Sequence, residues 1–565
     1  MTGRLNFEID TELETGLVTA RAGIPSLVEA FRLTGTAAVV ERTVKLKKRK
    51  RGLTSSETVE SFLALWAAGG ERCEDFDRLR EDKALVELIG HELPAAQTAR
   101  DFLDQFHEDD LPLLQDGKAS VPSESAALQG LASANKELIL DLQCRKPQKI
   151  ATLDIDATII HSSKRSAKRA YDGERGYQPV LVLWAEQDVI VADEFRDGNV
   201  PAGMGNLRII QKAVAALPGK FDEIRLRGDS ALYEHDAMTW MDENGIRYAI
   251  SVRMSPQIKA CIEALPENHW KLADEEADAT REWSEINYVP DDGNFNKEFA
   301  TPRRYLAIRI KPKQGELLGD GSRVKHFAIV TNRNDPQGGS GLDLIRWQRQ
   351  KAGTIEHAHD VLMNELAGWC LPSQKFGANA AWLRLNVLLY NLLSAFKRVG
   401  LPEEIHDARP KRLRFLVFNT VGKVVNNYAV LVRGDSSVMF TSYAPMPANP
   451  LFYLGLILFA VGALIGCFVF LGTLVVARAE RTYIGSLPLV SFGALTACVI
   501  AVFTIAAGAI ILIPTFLWSV GLIGQIDSLM YRTVWWAFGH SSQQVNVAAH
   551  VSVWYAVAAI VFGAK

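Results

Sequence analysis

Hydrophobic spacing changes character along this chain. In the first hundred or so residues the apolar positions recur at helical intervals. Ser55 or Ser56 is placed to cap a helix whose Val59, Phe62, Leu63 and Trp66 share one face. A second helix carries Phe76, Leu79, Leu85, Leu88 and Ile89 and breaks at Gly90–Pro94. A third runs from Ala95 to about Phe106, with Phe102, Leu103 and Phe106 inward. Two helices across a short Gly/Pro turn can form a helix-turn-helix with Gln97, Thr98 and Arg100 outward, and the same spacing fits a small helical bundle. Gln115 to Ser125 reads as a linker.

The period then switches to two. KIATLDIDATII (Lys149 to Ile160) alternates and is rich in β-branched residues, and VLVLWAEQDVIVADEF (Val180 to Phe195) reads as a hairpin turning near Glu186–Asp188. A helix follows over about Asn206 to Leu217, then a strand in FDEIRLRGDSAL, a helix to Asn244, and a strand in IRYAISVRM. Strands alternating with helices imply an α/β domain with a mixed sheet. Residues 265 to 340 are β-rich with turn signals at Asp291–Gly293 and Gly319–Gly321, as in an inserted β subdomain. Helices return at Gly341 to Leu366, and Ala378 to Arg398 is apolar nearly all round, so it is expected to be buried.

Beyond Asn449 the pattern loses its polar face. Leu451 to Ala477 is a continuous apolar run, and no charge falls between Ile484 and Ile526. About 20 consecutive apolar residues suffice to cross a bilayer. Spans are predicted at Leu451–Ala477, about Leu487–Leu517 and about Thr533–Phe562, the third interrupted by His540 to Gln544. After Pro450 the only charged side chains are Arg478, Glu480, Arg481, Asp527, Arg532 and Lys565, so the net charge of −3 over 565 residues averages two unlike regions. Arg478 and Arg481 favour a cytoplasmic loop after the first span, which conflicts with a cytoplasmic domain before it if that span crosses simply.

The six cysteines form no C-x-x-C pair, which argues against a zinc site or a disulfide framework, and MTGRLNFEIDTELETG lacks the apolar core of a secretory signal. The basic run Lys45, Lys47, Lys48, Arg49, Lys50 and Arg51 fits a solvated segment or a phosphate contact.

Three carboxylates stand where a metal site could assemble: Asp156 inside a strand, Asp229 at the end of a later strand, and Glu356 on a helix far downstream. A carboxylate within an apolar strand needs a partner, because an unpaired buried charge is costly. Two such strands side by side would favour a divalent cation, and Mg²⁺ takes oxygen ligands. Read singly, each is equally a surface or capping residue.

The stretches LDIDATIIHSSKRSAKRAYDGERGYQPVLVLWAE, FDEIRLRGDSALYEHDAMTWMDENGIRYAISV and AGTIEHAHDVLMNELAGWCLPSQKFGANAAWLRLNVLLYNLLSAFKR occur in order over most of the soluble part. With them, Leu5 to about Val425 resembles the DDE transposases of bacterial insertion sequences, in the thirteen-eighty branch. The resemblance implies an N-terminal helical DNA-binding region (1–125) and an RNase H-like catalytic domain (145–425) with a β-rich insertion at about 265–340. Asp156, with Asp154 as close competitor, Asp229 and Glu356 would be the catalytic and metal-holding residues, with Mg²⁺ or Mn²⁺ as cofactor. It implies cleavage at transposon ends and attack of the freed 3′-OH on the opposite or target strand. The partners would be double-stranded DNA at transposon ends and target, and a second copy in a synaptic homodimer. Lys47, Lys48, Arg49, Lys50, Arg51, Thr98, Arg100 and Arg349 are candidate DNA contacts, and Lys164, Arg165, Lys168, Arg169, Arg225 and Arg227 are further cations that fit phosphate contacts or surface ion pairs alike. The family's third motif commonly carries a Tyr, an Arg and a later Lys; Trp347, Arg349 and Met363 lie nearest those places.

VRGDSSVMFTSYAPMPANPLFYLGLILFAVGALIGCFVF and RTVWWAFGHSSQQVNVAAHVSVWYAVAAIVFGAK resemble an internal piece of heme-copper oxidase subunit I, so 430–565 is expected to be an all-α transmembrane segment touching a lipid bilayer. His540 falls on a copper-ligand position of that family, while Gln544 stands where a Tyr is common. Only His540 and His550 occur in this stretch, so neither heme nor copper is expected. The leading expectation is a transposase, cytoplasmic in its catalytic part, joined to a non-functional oxidase fragment. The alternatives are a membrane-bound oxidase subunit and a membrane-anchored, catalytically inactive DNA-binding protein.

Overall fold

The computed structural model describes residues 18–46, 52–116, 119–276, 279–289, 303–312, 324–333, 340–425, 428–429, 450–479, 488–524 and 526–562. Lys47 to Arg51 and the two turns expected at 291–293 and 319–321 lie outside them. The chain divides into two compact units, residues 1–429 and 430–565.

The first unit is built on a nine-stranded mixed sheet. Its strands are β1 (Ile150–Ala157), β2 (Val180–Trp184), β3 (Val189–Glu194), β4 (Glu223–Gly228), β5 (Arg247–Ser251), β6 (Lys271–Glu275), β7 (Ala279–Ile286), β8 (Arg304–Pro312) and β9 (Lys325–Thr331), in the spatial order β6-β7-β8-β9-β5-β4-β1-β2-β3. At its centre β1, β4 and β5 run parallel, with Arg227 opposite Asp154 in the β4–β1 register. The β2–β3 hairpin flanks β1 antiparallel, its turn at Asp188 having a positive φ of 52°. On the other side β9 pairs antiparallel with β5, so the β-rich stretch continues the central sheet instead of standing apart as a subdomain. The open edge of β5 explains this, because its backbone groups require a partner strand.

Helices α1 (Ala126–Arg145), α2 (Asn206–Ala216), α3 (His235–Glu243), α4 (Gly341–Arg349), α5 (Ile355–Asn364) and α6 (Phe376–Gly400) surround that sheet. As its all-round apolar sequence requires, α6 is buried from Gly377 to Ala395. It covers the edge strand β3. Asn391 accepts from Ile190 N at 2.7 Å and donates to Ile190 O at 2.8 Å, so a side-chain amide satisfies backbone that has no further strand beside it. Buried Arg384 binds Asp193 of β3 and Glu124 before α1. Burial alone would raise the Glu124 carboxyl, yet Arg384 and Lys212 outweigh it and hold it at about 2.

The N-terminal helices (Ile24–Leu33, Thr36–Thr43, Ser55–Ala68, Asp75–Leu79, Lys83–Ile89 and Ala96–Asp104) join the same core. Trp66 meets Trp382 of α6 edge-on at 4.8 Å, and Phe62 packs against both. The cap of Ser55–Ala68 is Thr54, one residue before the expected serines; its hydroxyl accepts from Glu57 N and its own N–H donates to the Glu57 carboxylate. Ser55 donates instead to Val44 O. The expected second helix is two short ones, parted where Asp82 caps Lys83–Ile89. The expected linker contains a hairpin, Leu113–Asp116 with Ala119–Pro122.

The second unit comprises helices Pro450–Ala479, Leu489–Ser519 and Ser528–Phe562. Tyr453–Arg478 and Leu489–Ser519, with mean hydropathies of 2.8 and 2.6, are long and apolar enough to cross a membrane. The third expected span does not reach this level among the described residues, since its length carries Arg532, His540, Gln543, Gln544 and Asn546. It is also continuous through His540–Gln544, where a break was expected: polar side chains leave the backbone hydrogen bonds of a helix intact. A Cβ at Gly508 would lie 2.8 Å from the Phe538 ring, so this glycine lets the second and third helices approach closely.

Candidate active site

Asp154 and Asp156 alternate onto one face of β1, but their surroundings differ sharply. Asp154 is fully buried and takes two hydrogen bonds of 2.7 Å from the Arg227 guanidinium on β4. The Thr354 hydroxyl also donates to it. This carboxylate is saturated. Asp156, one alternation further, is half-buried, and its ion-pair partner is Lys351, whose Nζ lies 3.3 Å from Oδ1.

The β4–β1 register carries Asp229 to the same edge. Arg227 is opposite Asp154, so two residues on, just past the end of β4, Asp229 stands level with Asp156. Asp229 is exposed, and its side chain accepts from Ala231 N at 3.0 Å, capping the short turn Ser230–Leu232. The two carboxylates, one half-buried on β1 and one exposed just beyond β4, are of the hard oxygen-donor type that a divalent cation takes.

Glu356 is brought to this edge by the turn between α4 and α5. Arg227 Nη1 donates to Trp347 O at 2.8 Å, Gln348 Nε2 donates to Gly228 O at 3.3 Å and to Ser251 Oγ at 3.1 Å, and Lys351 and Thr354 reach the two aspartates of β1. Every one of these bonds ties the turn to the C-terminal ends of β1, β4 or β5. Glu356 follows in the first turn of α5, exposed. Among the described residues, no group of three His, Cys, Asp or Glu side chains lies close enough to share a metal ion. Asp156 and Asp229 carry the oxygen donors that suit a divalent cation, and Glu356 begins the helix that follows the tethered turn without being gathered with them.

Beside Asp229 a groove of 520 Å³ runs between the β-rich strands and α4, with Ser230, Ser251, Arg253, Arg281, Gln348 and Arg349 on its walls. Arg349 lies 3.8 Å from Asp274, and Arg281 pairs with Glu276. Other expected DNA contacts are otherwise engaged. Arg227 is a buried structural cation, Arg225 pairs with Glu223, Lys168 with Asp197, and half-buried Arg100 with Glu74. Thr98 is exposed. Met363, half-buried, packs against the core.

Two residues at this edge went unnoticed in the sequence: Lys351 and His359. His359 is buried on α5, one turn after Glu356, and neither ring nitrogen has a hydrogen-bond partner among the described residues. Burial, reinforced by the Lys351 ammonium, lowers it to about 4 and keeps it neutral. The only sequence signal for Lys351 is its place five positions before Glu356 in KAGTIE.

In the tail, His540 and His550 are both exposed on one helix. Ten residues of helix separate them by about 15 Å along the axis, too far to share a metal ion.

A family model for the transposase DDE domain, group 1, matches residues 5–438. The chain belongs to that family. A second model, for the polypeptide I of cytochrome c and quinol oxidases, matches residues 385–565. The two overlap from within α6, whose all-round apolar composition is shared by buried and lipid-facing helices alike. The piggyBac transposase, solved in a synaptic complex with hairpin DNA, is similar at 11% identity and a TM-score of 0.38, over 69% of this chain and 78% of that one. No curated protein matches.

Asp154→Ala is expected to cost about 3–5 kcal/mol, because Arg227 is left buried and unpaired. Asp156→Ala is expected to cost no more than about 1–2 kcal/mol, its partner lying nearer solvent. Urea unfolding in detergent, followed by tryptophan fluorescence, compares them; equal losses would refute the division of labour. The depressed His359 sets a pH dependence. Above its ordinary 6.5 both folded and unfolded chains are neutral there, and its contribution is complete. Between 6.5 and 4 the unfolded chain binds a proton that the folded one refuses, so stability falls by about 2 kcal/mol from pH 7 to pH 5. His359→Leu should lose correspondingly less over that interval in pH-dependent melting curves.

Proposed function

We propose that this chain is a DDE transposase that cleaves phosphodiester bonds at the ends of a mobile DNA element and transfers the freed strand, with Asp156, Asp229 and Glu356 as its catalytic, metal-holding carboxylates. The observation that supports this reading is the β4–β1 register, in which Arg227 pairs with Asp154 and both strands lead on toward Asp229 and Asp156, with Asp154 withdrawn into the Arg227 pair. The strand order β3-β2-β1-β4-β5, antiparallel up to β1 and parallel beyond it, supports an RNase H-like sheet beneath the site. Mg²⁺ or Mn²⁺ held there supplies Lewis acidity to the attacking and leaving oxygens.

The chain's own side chains have separate tasks. Asp156 presents its carboxylate from strand β1, and Asp229 presents its own from the turn that directly follows β4. Glu356 joins them from α5, whose start is anchored by Thr354. Arg253, Arg281 and Arg349 line a groove beside the site and suit a DNA backbone, whose phosphates give affinity without sequence information. Thr98 offers a contact from the N-terminal helices. Two element ends must be processed together, which favours a homodimer on double-stranded DNA. The region 1–125 serves as the helical DNA-binding part and 145–425 as the catalytic domain. Within 430–565 the chain is an oxidase-like fragment that lies in the bilayer and carries no redox centre, His540 being a vestige. The match to oxidase polypeptide I favours a second reading, an oxidase subunit, and the separation of His540 from His550 along one helix speaks against it.

Full-length protein in detergent should nick duplexes bearing the element's terminal repeats only when Mg²⁺ or Mn²⁺ is added. Asp156→Ala and Asp229→Ala are each expected to lower nicking by about 10³-fold or more while leaving the gel shift intact. A variant that still cuts would remove its residue from the site. A pyridine hemochrome assay of the same preparation should find no stoichiometric heme, and finding it would overturn the fragment reading.

A further inference from the structure

We propose that Lys351 is a resident counter-ion of the metal site, an ammonium that occupies Asp156 until a divalent cation displaces it. The inference rests on the reading of Asp156 as a metal-holding carboxylate. It starts from an asymmetry of charge. Asp154 is matched by Arg227 and Thr354, Asp229 caps a turn at the surface, and Glu356 is exposed. Asp156 is the remaining carboxylate, with only 19% of its side chain exposed, and Lys351, with 10% exposed, stands 3.3 Å from it.

The two occupants exclude one another. Mg²⁺ binds a carboxylate oxygen at about 2.1 Å, which leaves it within about 5 Å of an ammonium held on the same oxygen. Two cations at that separation in a half-buried site repel strongly. Lysine suits a counter-ion that must leave, since its charge is compact and rides on a flexible four-carbon stem. A place for it is close by. The buried imidazole of His359, neutral and without a hydrogen-bond partner among the described residues, is near enough to Lys351 to feel its charge. The phosphates of bound DNA are a second destination. The half-buried Asp156 is thereby neutralised without metal and is freed for it by the movement of one side chain.

Mn²⁺ binding to the full-length protein in detergent, without DNA, reads this directly through the electron paramagnetic resonance signal of free Mn²⁺. Lys351→Met and Lys351→Gln should each bind Mn²⁺ about tenfold more tightly than the wild type. Lys351→Arg, which keeps the charge, should bind Mn²⁺ no more tightly than the wild type. Adding Asp156→Asn to Lys351→Met should abolish the gain. Unchanged or weaker binding in both neutral variants, with Asp156→Asn still weakening the wild type, would overturn the counter-ion role and leave the metal reading standing. Indifference of Mn²⁺ binding to Asp156→Asn in either background would overturn both. Circular dichroism verifies folding, and the two neutral variants differ in polarity, so a shared gain is not a packing effect.

Discussion

The buried pair of Asp154 and Arg227 is the constraint on which the candidate site depends. It locks the register of β1 against β4, and through Arg227 and Thr354 it also holds the turn that leads into α5. One ion pair thus places three segments that are far apart in the chain. An ion pair buried this deeply contributes little net stability, because desolvation offsets most of the attraction. Its effect is positional: a slipped register or a displaced turn would leave one of the two charges alone in the core. The carboxylates one alternation further out inherit their level from it and stay open to solvent.

This division explains how much could be read from the residues in order. The central strands, the hairpin at Asp188 and the buried helix Phe376–Gly400 follow from periodicity, which local side-chain alternation encodes. The pairing of β9 with β5 does not, because a strand's partner depends on which edge is open, a property of the assembled sheet. The same limit applies to the charges. In LDIDAT the two aspartates look alike, and only the register that brings Arg227 opposite Asp154 distinguishes them. Arg225 and Arg227 fit phosphate contacts or ion pairs alike in sequence, and the fold shows ion pairs: Glu223, two residues away on the same strand, for Arg225, and the remote Asp154 for Arg227, as the remote Glu74 pairs with Arg100. Lys351 and His359 were illegible for the opposite reason, since nothing about their spacing distinguishes them until the turn folds over the strand ends.

The two units obey opposite solvent rules. In the first, helix Phe376–Gly400 is apolar nearly all round because protein surrounds it, and its buried Arg384 and Asn391 are matched by Asp193, Glu124 and Ile190. In the second, Tyr453–Arg478 is more apolar still, yet none of its most apolar stretch is buried within the protein. The two family models overlap from within the buried helix onward. The separating observation is polar satisfaction: a buried helix can keep an arginine or asparagine where a partner is supplied, and a lipid-facing one cannot.

That criterion also bears on the third helix of the tail. Ser528–Phe562 carries Arg532, His540, Gln543, Gln544, Asn546 and His550, and His540, Gln543, Gln544, Asn546 and His550 are exposed along it. In an oxidase such groups would need neighbouring helices or a metal to receive them, because polar side chains left in hydrocarbon are costly. Here the neighbouring helix Leu489–Ser519 offers Gly508 and Gly493, surfaces suited to close packing and not to hydrogen bonding. Close approach at these two glycines joins the second and third helices of the tail. Such packing holds a helical unit together by shape, whereas the carboxylate edge of the sheet is placed by paired charges.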